Sequence, residues 1–259
     1  MTDMTHLPAL APHSFEGRTA LVTGAARGIG AATARELYAG GARVAVSDVD
    51  LTAAEAFAHA LDPSGDRAIA LPLDVRQKDA FDTARDTLAA RWGKTDIVVN
   101  NAGYAKRTPT YEITPAEFDE IVAINMRSVF LSCQTFSAHM QDHGYGRIVN
   151  ITSLAGQNGG TVASAHYAAA KAGAIMLTKY FAQLMAGTGV TVNAISPGPV
   201  SSAKGRLSAE QVAGIEKKVP IGRFCEPSEI AAAAALLASD HGGFFVGATL
   251  DMNGGLFMR

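Results

Sequence analysis

Tyr167 and Lys171 stand four residues apart in the stretch Tyr167-Ala168-Ala169-Ala170-Lys171, whose composition favours a helix. At that spacing a phenol and an ammonium share one helix face. A tyrosine with its ordinary pKa of about 10 is idle at neutral pH, and works as a proton donor or acceptor only where a nearby positive charge stabilises its phenolate. Lys171 is placed to supply that charge. Taken alone, such a pair is more commonly a surface feature of a helix. Its chemistry depends on what the surrounding elements bring to the same place.

Those elements alternate. Thr19 to Thr23 form a short apolar strand, followed by the glycine turn Gly24-Ala25-Ala26-Arg27-Gly28-Ile29-Gly30 and a helix-like segment to Leu37. Strand, glycine turn and helix together let a backbone approach a pyrophosphate and aim free helix N–H groups at its charge. A second strand, Ala42 to Ser47, ends at Asp48, 20 residues after Gly28, where a dinucleotide fold places the acid that binds the adenosine ribose. A carboxylate there repels a 2′-phosphate, so NAD(H) is preferred, while Arg27 in the turn keeps NADP(H) open. A strand from Ala68 to Leu73 ends in Asp74-Val75, a helix runs to about Arg91, and Asp96 to Val99 lead into Asn100-Asn101-Ala102-Gly103. This alternation predicts an α/β fold, a single doubly wound parallel sheet of about seven strands with helices on both faces. Ligands in such sheets bind beyond the C-terminal strand ends.

A long amphipathic segment from about Pro115 to His143 carries Asn125, a mediocre interior helix residue because its amide competes for backbone hydrogen bonds. Arg147 to Ser153 read as a strand with a serine at the ligand edge, then a glycine-rich loop from Gly156 to Gly160 leads to the Tyr167 helix. A sixth strand, Val190 to Ser196, ends in Pro197-Gly198-Pro199-Val200. Ser201 to Arg223 are polar and irregular, with a short helix around Ala209 to Lys218, and form the natural lid over a substrate. Pro227 opens an Ala-rich helix, and Thr249 to Gly255 close the chain as a strand and turn.

Composition narrows the function classes. A 48% hydrophobic chain of 259 residues with net charge -2 has ample material for a core and no basic, aromatic-interleaved stretch for nucleic acid. The longest apolar run, Ala231 to Ala238, is far short of the roughly 20 residues that span a bilayer. Cys133 and Cys225 suit reduced thiols rather than a disulfide framework or a metal site, and His166 reads as a local packing or hydrogen-bonding residue. Residues 1–14, interrupted by Pro8 and Pro12, are expected to be a flexible arm before one catalytic domain at 15–259, and the protein is expected to be cytoplasmic.

In order and approximate spacing, Thr23-Gly24-x-x-x-Gly28-x-Gly30, Asp74, Asn100-Asn101-Ala102-Gly103, Asn125, Ser153, Tyr167-x-x-x-Lys171 and Pro197-Gly198 resemble the short-chain dehydrogenase/reductase family, from about Gly17 to the C-terminus. The resemblance implies hydride exchange between a nicotinamide cofactor and a carbonyl carbon, with Tyr167 as general acid or base. It implies that Lys171 holds the ribose hydroxyls, that Ser153 binds the substrate oxygen, and that Asn125 supports a water relaying the proton through Lys171. Bringing the phenol near working pH takes roughly 2 to 3 units, about 3 to 4 kcal/mol, which Lys171 and the positive nicotinamide ring would supply jointly. Cofactor contacts are implied at Gly24, Arg27, Gly28, Ile29, Gly30, Asp48, Asp74, Val75, Asn101, Ala102, Gly103, Tyr167, Lys171, Pro197, Gly198, Val200 and Ser202. The Ser153 to Tyr167 separation of 14, one more than is commonest in the family, predicts a bulged loop, with Thr152 a weaker candidate for the serine's role.

Leu207 to Gln211, Val219 to Arg223 and Asn253 to Gly255 are similar to 3-oxoacyl-[acyl-carrier-protein] reductases. Those reductases commonly place basic residues where Asp142 to Gly146 and Ala186 to Gly189 lie here, and neither stretch contains Lys or Arg. The favoured expectation is therefore an NAD(H)-linked enzyme for a secondary alcohol or 3-hydroxyacyl thioester. The alternatives are an NADPH-dependent 3-oxoacyl reductase and a non-catalytic dinucleotide sensor. The resemblance also implies a homotetramer packed through the long helices around Asn125 and Tyr167.

Overall fold

A computed structural model describes residues 14–160 and 164–259, so the expected N-terminal arm, save Ser14, lies outside the described residues. The strands are β1 (Thr19–Thr23), β2 (Arg43–Asp48), β3 (Ala68–Pro72), β4 (Ile97–Asn100), β5 (Gly146–Ile151), β6 (Val190–Pro197) and β7 (Thr249–Met252). All pair in parallel, in the order β3-β2-β1-β4-β5-β6-β7. Every residue of β1, β4, β5 and β6 is buried, which explains why these strands are runs of Val, Ile and Ala rather than alternating patterns.

The helices are α1 (Gly28–Ala39), α2 (Leu51–Leu61), α3 (Lys78–Trp92), α4 (Pro115–Val122), α5 (Ser128–Asp142), α6 (Ala155–Asn158), α7 (Ala165–Leu184), α8 (Ala209–Lys218) and α9 (Pro227–Ala238). Leu37 of α1, Ala54 of α2, and Ile230 and Leu237 of α9 pack on one sheet face with Val44 and Ile97. Phe81 and Leu88 of α3, Phe136 and Met140 of α5, and Phe181 of α7 pack on the other with Leu21 and Val98. Two-sided burial forces the sheet to reverse its order, and the reversal falls between β1 and β4. That switch point opens a crevice beyond the strand ends.

Three local expectations change. The segment expected as one helix from Pro115 to His143 is interrupted by a π turn at Ala123–Arg127, centred on Asn125. Its side-chain Nδ2 donates to the Ile121 carbonyl at 3.0 Å, taking an acceptor that a backbone N–H would otherwise use. β5 stops at Ile151, so Ser153 stands two residues past the strand, and the Gly156 to Gly160 stretch begins as α6 rather than as open loop. The bulge predicted between Ser153 and Tyr167 falls partly on residues 161–163, outside the described residues.

Candidate active site

The crevice is a cleft of about 620 Å³. On its floor, the β1 and β4 ends are tied by side chain to backbone. Thr23 Oγ1 accepts the N–H groups of Asn101 and Ala102, both at 3.0 Å, and Asn101 Nδ2 donates to the Thr23 and Gly24 carbonyls, both at 2.9 Å. Gly24 has φ 61° and sits so close that a Cβ would lie 2.8 Å from Ala102 Cα. A Cβ on Gly30 would press into the Gly24 carbonyl and the Asn101 amide. Only glycine permits this approach.

Sixteen of the predicted site residues line the cleft; Gly28, Gly30 and Asn125 do not. Gly30 is packed beneath Gly24, Gly28 faces Ser202, and Asn125 lies behind Gly103. Asn125 is buried, with Nδ2 donating to the Tyr104 carbonyl at 2.8 Å and Oδ1 accepting the Tyr104 N–H at 3.3 Å, so its side chain fixes the loop that follows Gly103.

The residues present fit a dinucleotide. α1 begins at the cleft with no side-chain cap on Arg27 and no acidic residue in its first turn, leaving its leading N–H groups for an anion. At the end of β2, Asp48 is steadied by the Ala26 N–H on one oxygen, at 3.3 Å, and the Asp50 N–H on the other, at 3.2 Å. Asp74 is clamped by Arg76 through three hydrogen bonds of 2.7 to 3.1 Å, and the guanidinium holds its carboxyl below the ordinary range.

Comparison with known proteins accords with this geometry. A family model described as enoyl-(acyl carrier protein) reductase matches residues 24–257. The chain is 39% identical over 248 residues to the 3-oxoacyl-[acyl-carrier-protein] reductase FabG of Escherichia coli (strain K12), covering 95% of this chain and 99% of that protein. It is 39% identical over 266 residues to the D-threitol dehydrogenase of Mycolicibacterium smegmatis, covering 100% of each. The solved short-chain dehydrogenase/reductase from Brucella melitensis described as glucose/ribitol dehydrogenase superposes with TM-score 0.86 at 30% identity, over 96% of this chain and 100% of that one. The chain belongs to the short-chain dehydrogenase/reductase family. It is an oxidoreductase that acts on CH–OH groups of small molecules with an NAD(P) cofactor.

In this short-chain dehydrogenase/reductase, α7 carries Tyr167 and Lys171 to the cleft on one face. Lys171 is 4% exposed, its Nζ donates to the Ile151 carbonyl at 2.8 Å, and burial pulls its pKa down to about 8. Nζ lies 5.8 Å from the Tyr167 ring centroid. At that separation a full charge is worth about 3 kcal/mol at an effective dielectric of 20, roughly 2 units of phenol pKa. In the chain alone burial outweighs other influences and raises the phenol, with the hydrogen bond from Ser153 opposing it. A second positive charge in the cleft is therefore needed to bring the phenol down.

Ser153 rather than Thr152 is free for a substrate oxygen. Thr152 Oγ1 is spent on the Ile195 carbonyl at 2.8 Å. The cleft also takes in Arg76, Tyr104, Glu120 and Arg206, none of which the sequence singled out. Arg206 follows the expected lid helix start and no short-range pattern points to it. Among the described residues there is no group of three or more His, Cys, Asp or Glu side chains arranged to hold a metal, and no helix long and apolar enough to cross a membrane.

Proposed function

We propose that this enzyme interconverts a secondary alcohol, or a 3-hydroxyacyl thioester, and its ketone with NAD(H). The observation that carries the reading is the convergence of Ser153, Tyr167 and Lys171 in one cleft whose far end holds Asp48. Bound nicotinamide supplies or accepts the hydride and adds positive charge beside the phenol. Ser153 holds the substrate oxygen by its hydroxyl, and Tyr167 gives its proton to that oxygen in reduction or removes it in oxidation. Lys171, protonated below its pKa of about 8, stabilises the phenolate that Tyr167 becomes and holds the cofactor ribose. Asn125 fixes the loop at Tyr104 and supports the water that returns the proton through Lys171.

Other parts of the reading rest on placement. The segment 201–223 acts as lid: α8 buries none of its residues within the chain, as suits an element whose partner is a ligand. The exposed apolar face around Met126, Phe130, Met176 and Tyr180, shared by the Asn125 and Tyr167 helices, supports a homotetramer. The free Cys133 and Cys225 accord with a cytoplasmic enzyme.

A second reading, an NADPH-dependent 3-oxoacyl-[acyl-carrier-protein] reductase, is favoured by Arg27 at the cleft and by the name of the Escherichia coli relative. Steady-state oxidation of a panel of secondary alcohols with NAD+ and NADP+, beside reduction of an acetoacetyl thioester with NADH and NADPH, separates the two. The expected result is kcat/KM at least about tenfold higher with NAD+ than with NADP+, the effect of about 1.4 kcal/mol of charge repulsion at Asp48. Thioester reduction with NADPH alone overturns the assignment of Asp48, and a dead panel with tight NADH binding makes the protein a sensor.

A further inference from the structure

The N-terminus of α7 is capped in an unusual way. Ser164 stands at the N-cap, where a serine hydroxyl ordinarily accepts the N–H two or three residues on, but it makes no such bond. Its hydroxyl instead accepts the Thr108 N–H at 3.0 Å and donates to the Lys106 carbonyl at 2.8 Å, pinning the loop that leads from Tyr104 along the cleft. The orphaned N–H of Tyr167 is accepted by His166 Nδ1 at 2.9 Å. Because a backbone N–H can only donate, the ring proton resides on Nε2, which donates to Glu117 Oε1 at 3.0 Å. The second carboxylate oxygen of Glu117 takes the ammonium of Lys106. Lys106, with the Thr108 hydroxyl and His166, holds Glu117 down to about 2, so the anchor keeps its charge across the working range. His166 is 0% exposed, and Phe118 packs beside its ring with centroids 6.5 Å apart.

The loop of residues 104–108 and the backbone of Tyr167 are thus fastened to one knot of side chains. We infer that His166 is a positioning residue: it sets Tyr167 in α7 while Glu117 and Lys106 hold the adjoining wall of the substrate cleft to the same point. The inference rests on the reading of Tyr167 as the acid/base. It goes beyond that reading in making the seating of substrate against loop 104–108 and the aim of the phenol parts of one arrangement. A histidine is suited to this because it is rigid, accepts on one nitrogen and donates on the other. Neither amide residue does both: Asn offers an acceptor where Nδ1 sits but cannot reach Glu117, whereas Gln reaches Glu117 but leaves the Tyr167 N–H without an acceptor at that place.

The test uses the full-length enzyme and whichever secondary alcohol in the panel is turned over best. His166→Gln is expected to lower kcat roughly tenfold or more, the scale of a small misplacement of a reacting group, with NADH affinity unchanged. His166→Asn restores kcat to within about threefold, since it returns the acceptor. Lys106→Gln, at an exposed side chain, raises KM for the alcohol severalfold and leaves kcat within about twofold, as expected for a lost binding contact. If His166→Gln and His166→Asn both keep wild-type kcat, or lose kcat equally together with NADH affinity, His166 does not position Tyr167 and the inference fails. Should neither fold, Glu117→Gln takes their place. It keeps an oxygen for the His166 Nε2–H, so it is expected to reproduce the Lys106→Gln KM and to add nothing when combined with it; additive effects overturn the proposal. Tyr167→Phe is run alongside. An active Tyr167→Phe enzyme removes the underlying reading of the site, whereas a dead one beside unaffected His166 variants removes only this inference.

Discussion

Where β1 turns into α1 there is no room for even a methyl group at Gly30, whose Cβ would lie 2.9 Å from Ala25 Cα and press on the Asn101 amide. Across the cleft, Gly205 has nothing within 4 Å, and α8, which follows it, buries no residue. The first wall meets a ligand part of fixed shape, the dinucleotide backbone, and so is specified down to single atoms. The second meets whatever alcohol the enzyme takes, and its surroundings leave its composition open. Function here is divided between a wall that cannot vary and one that can.

The largest effect should come where the two walls meet. Tyr167→Phe is expected to cut turnover about a thousandfold or more, while the NADH dissociation constant measured by fluorescence titration stays within about threefold. Comparable activity in that variant would sink the mechanism. On the fixed wall, Gly30→Ala should destabilise the fold by about 3 kcal/mol, read as a lower midpoint in urea unfolding, and weaken NADH binding with it. A neutral result there would abolish the contrast between the walls.

Lys171→Met sharpens the comparison from within the site. Burial lowers the Lys171 pKa from 10.5 to about 8, so at neutral pH the folded chain carries a charge it would rather release, a cost of about 3 kcal/mol. Removing it also orphans the Ile151 carbonyl, at about 1 kcal/mol. The variant is expected to be inactive yet more stable by about 2 kcal/mol at pH 7. Between pH 8 and 10.5 the unfolded chain binds the extra proton and the folded chain does not. Wild-type stability contributed by this group therefore rises across that window, and the advantage of Lys171→Met fades there. An advantage that persists above pH 10.5 would assign it to another cause. The smallest effect belongs to the open wall: Gly205→Ala should change stability by less than about 1 kcal/mol, toward stabilisation, through the unfolded chain.

The same contrast explains what was legible in the sequence. Gly24, Gly30, Asn101 and Thr23 stand out because a close backbone approach admits few residue types. The strands stand out because burial on both faces makes them continuously apolar. Ser153 and Thr152 are adjacent hydroxyls that no sequence pattern separates, and only the partner at Ile195 shows that Thr152 is already engaged. His166 is legible as a packing or hydrogen-bonding residue but not as the cap on Tyr167. That role depends on Ser164 being drawn away by Lys106 and Thr108, 58 and 56 residues earlier, and polar ties of such range leave no periodicity. Arg206 and Glu120 enter the cleft from elements whose sequence reads as ordinary solvated helix.

The π turn at Asn125 limits how this chain can change. Ile121, Asn125, Val129 and Cys133 are all buried at intervals of four, a step that overshoots a full α-helical turn by about 40° each time. The wider turn at Ala123–Arg127 absorbs that overshoot. Deleting one residue there would rotate α5 by about 100° and swing Phe136 and Met140 away from the sheet, so the segment tolerates new side chains far better than a new length.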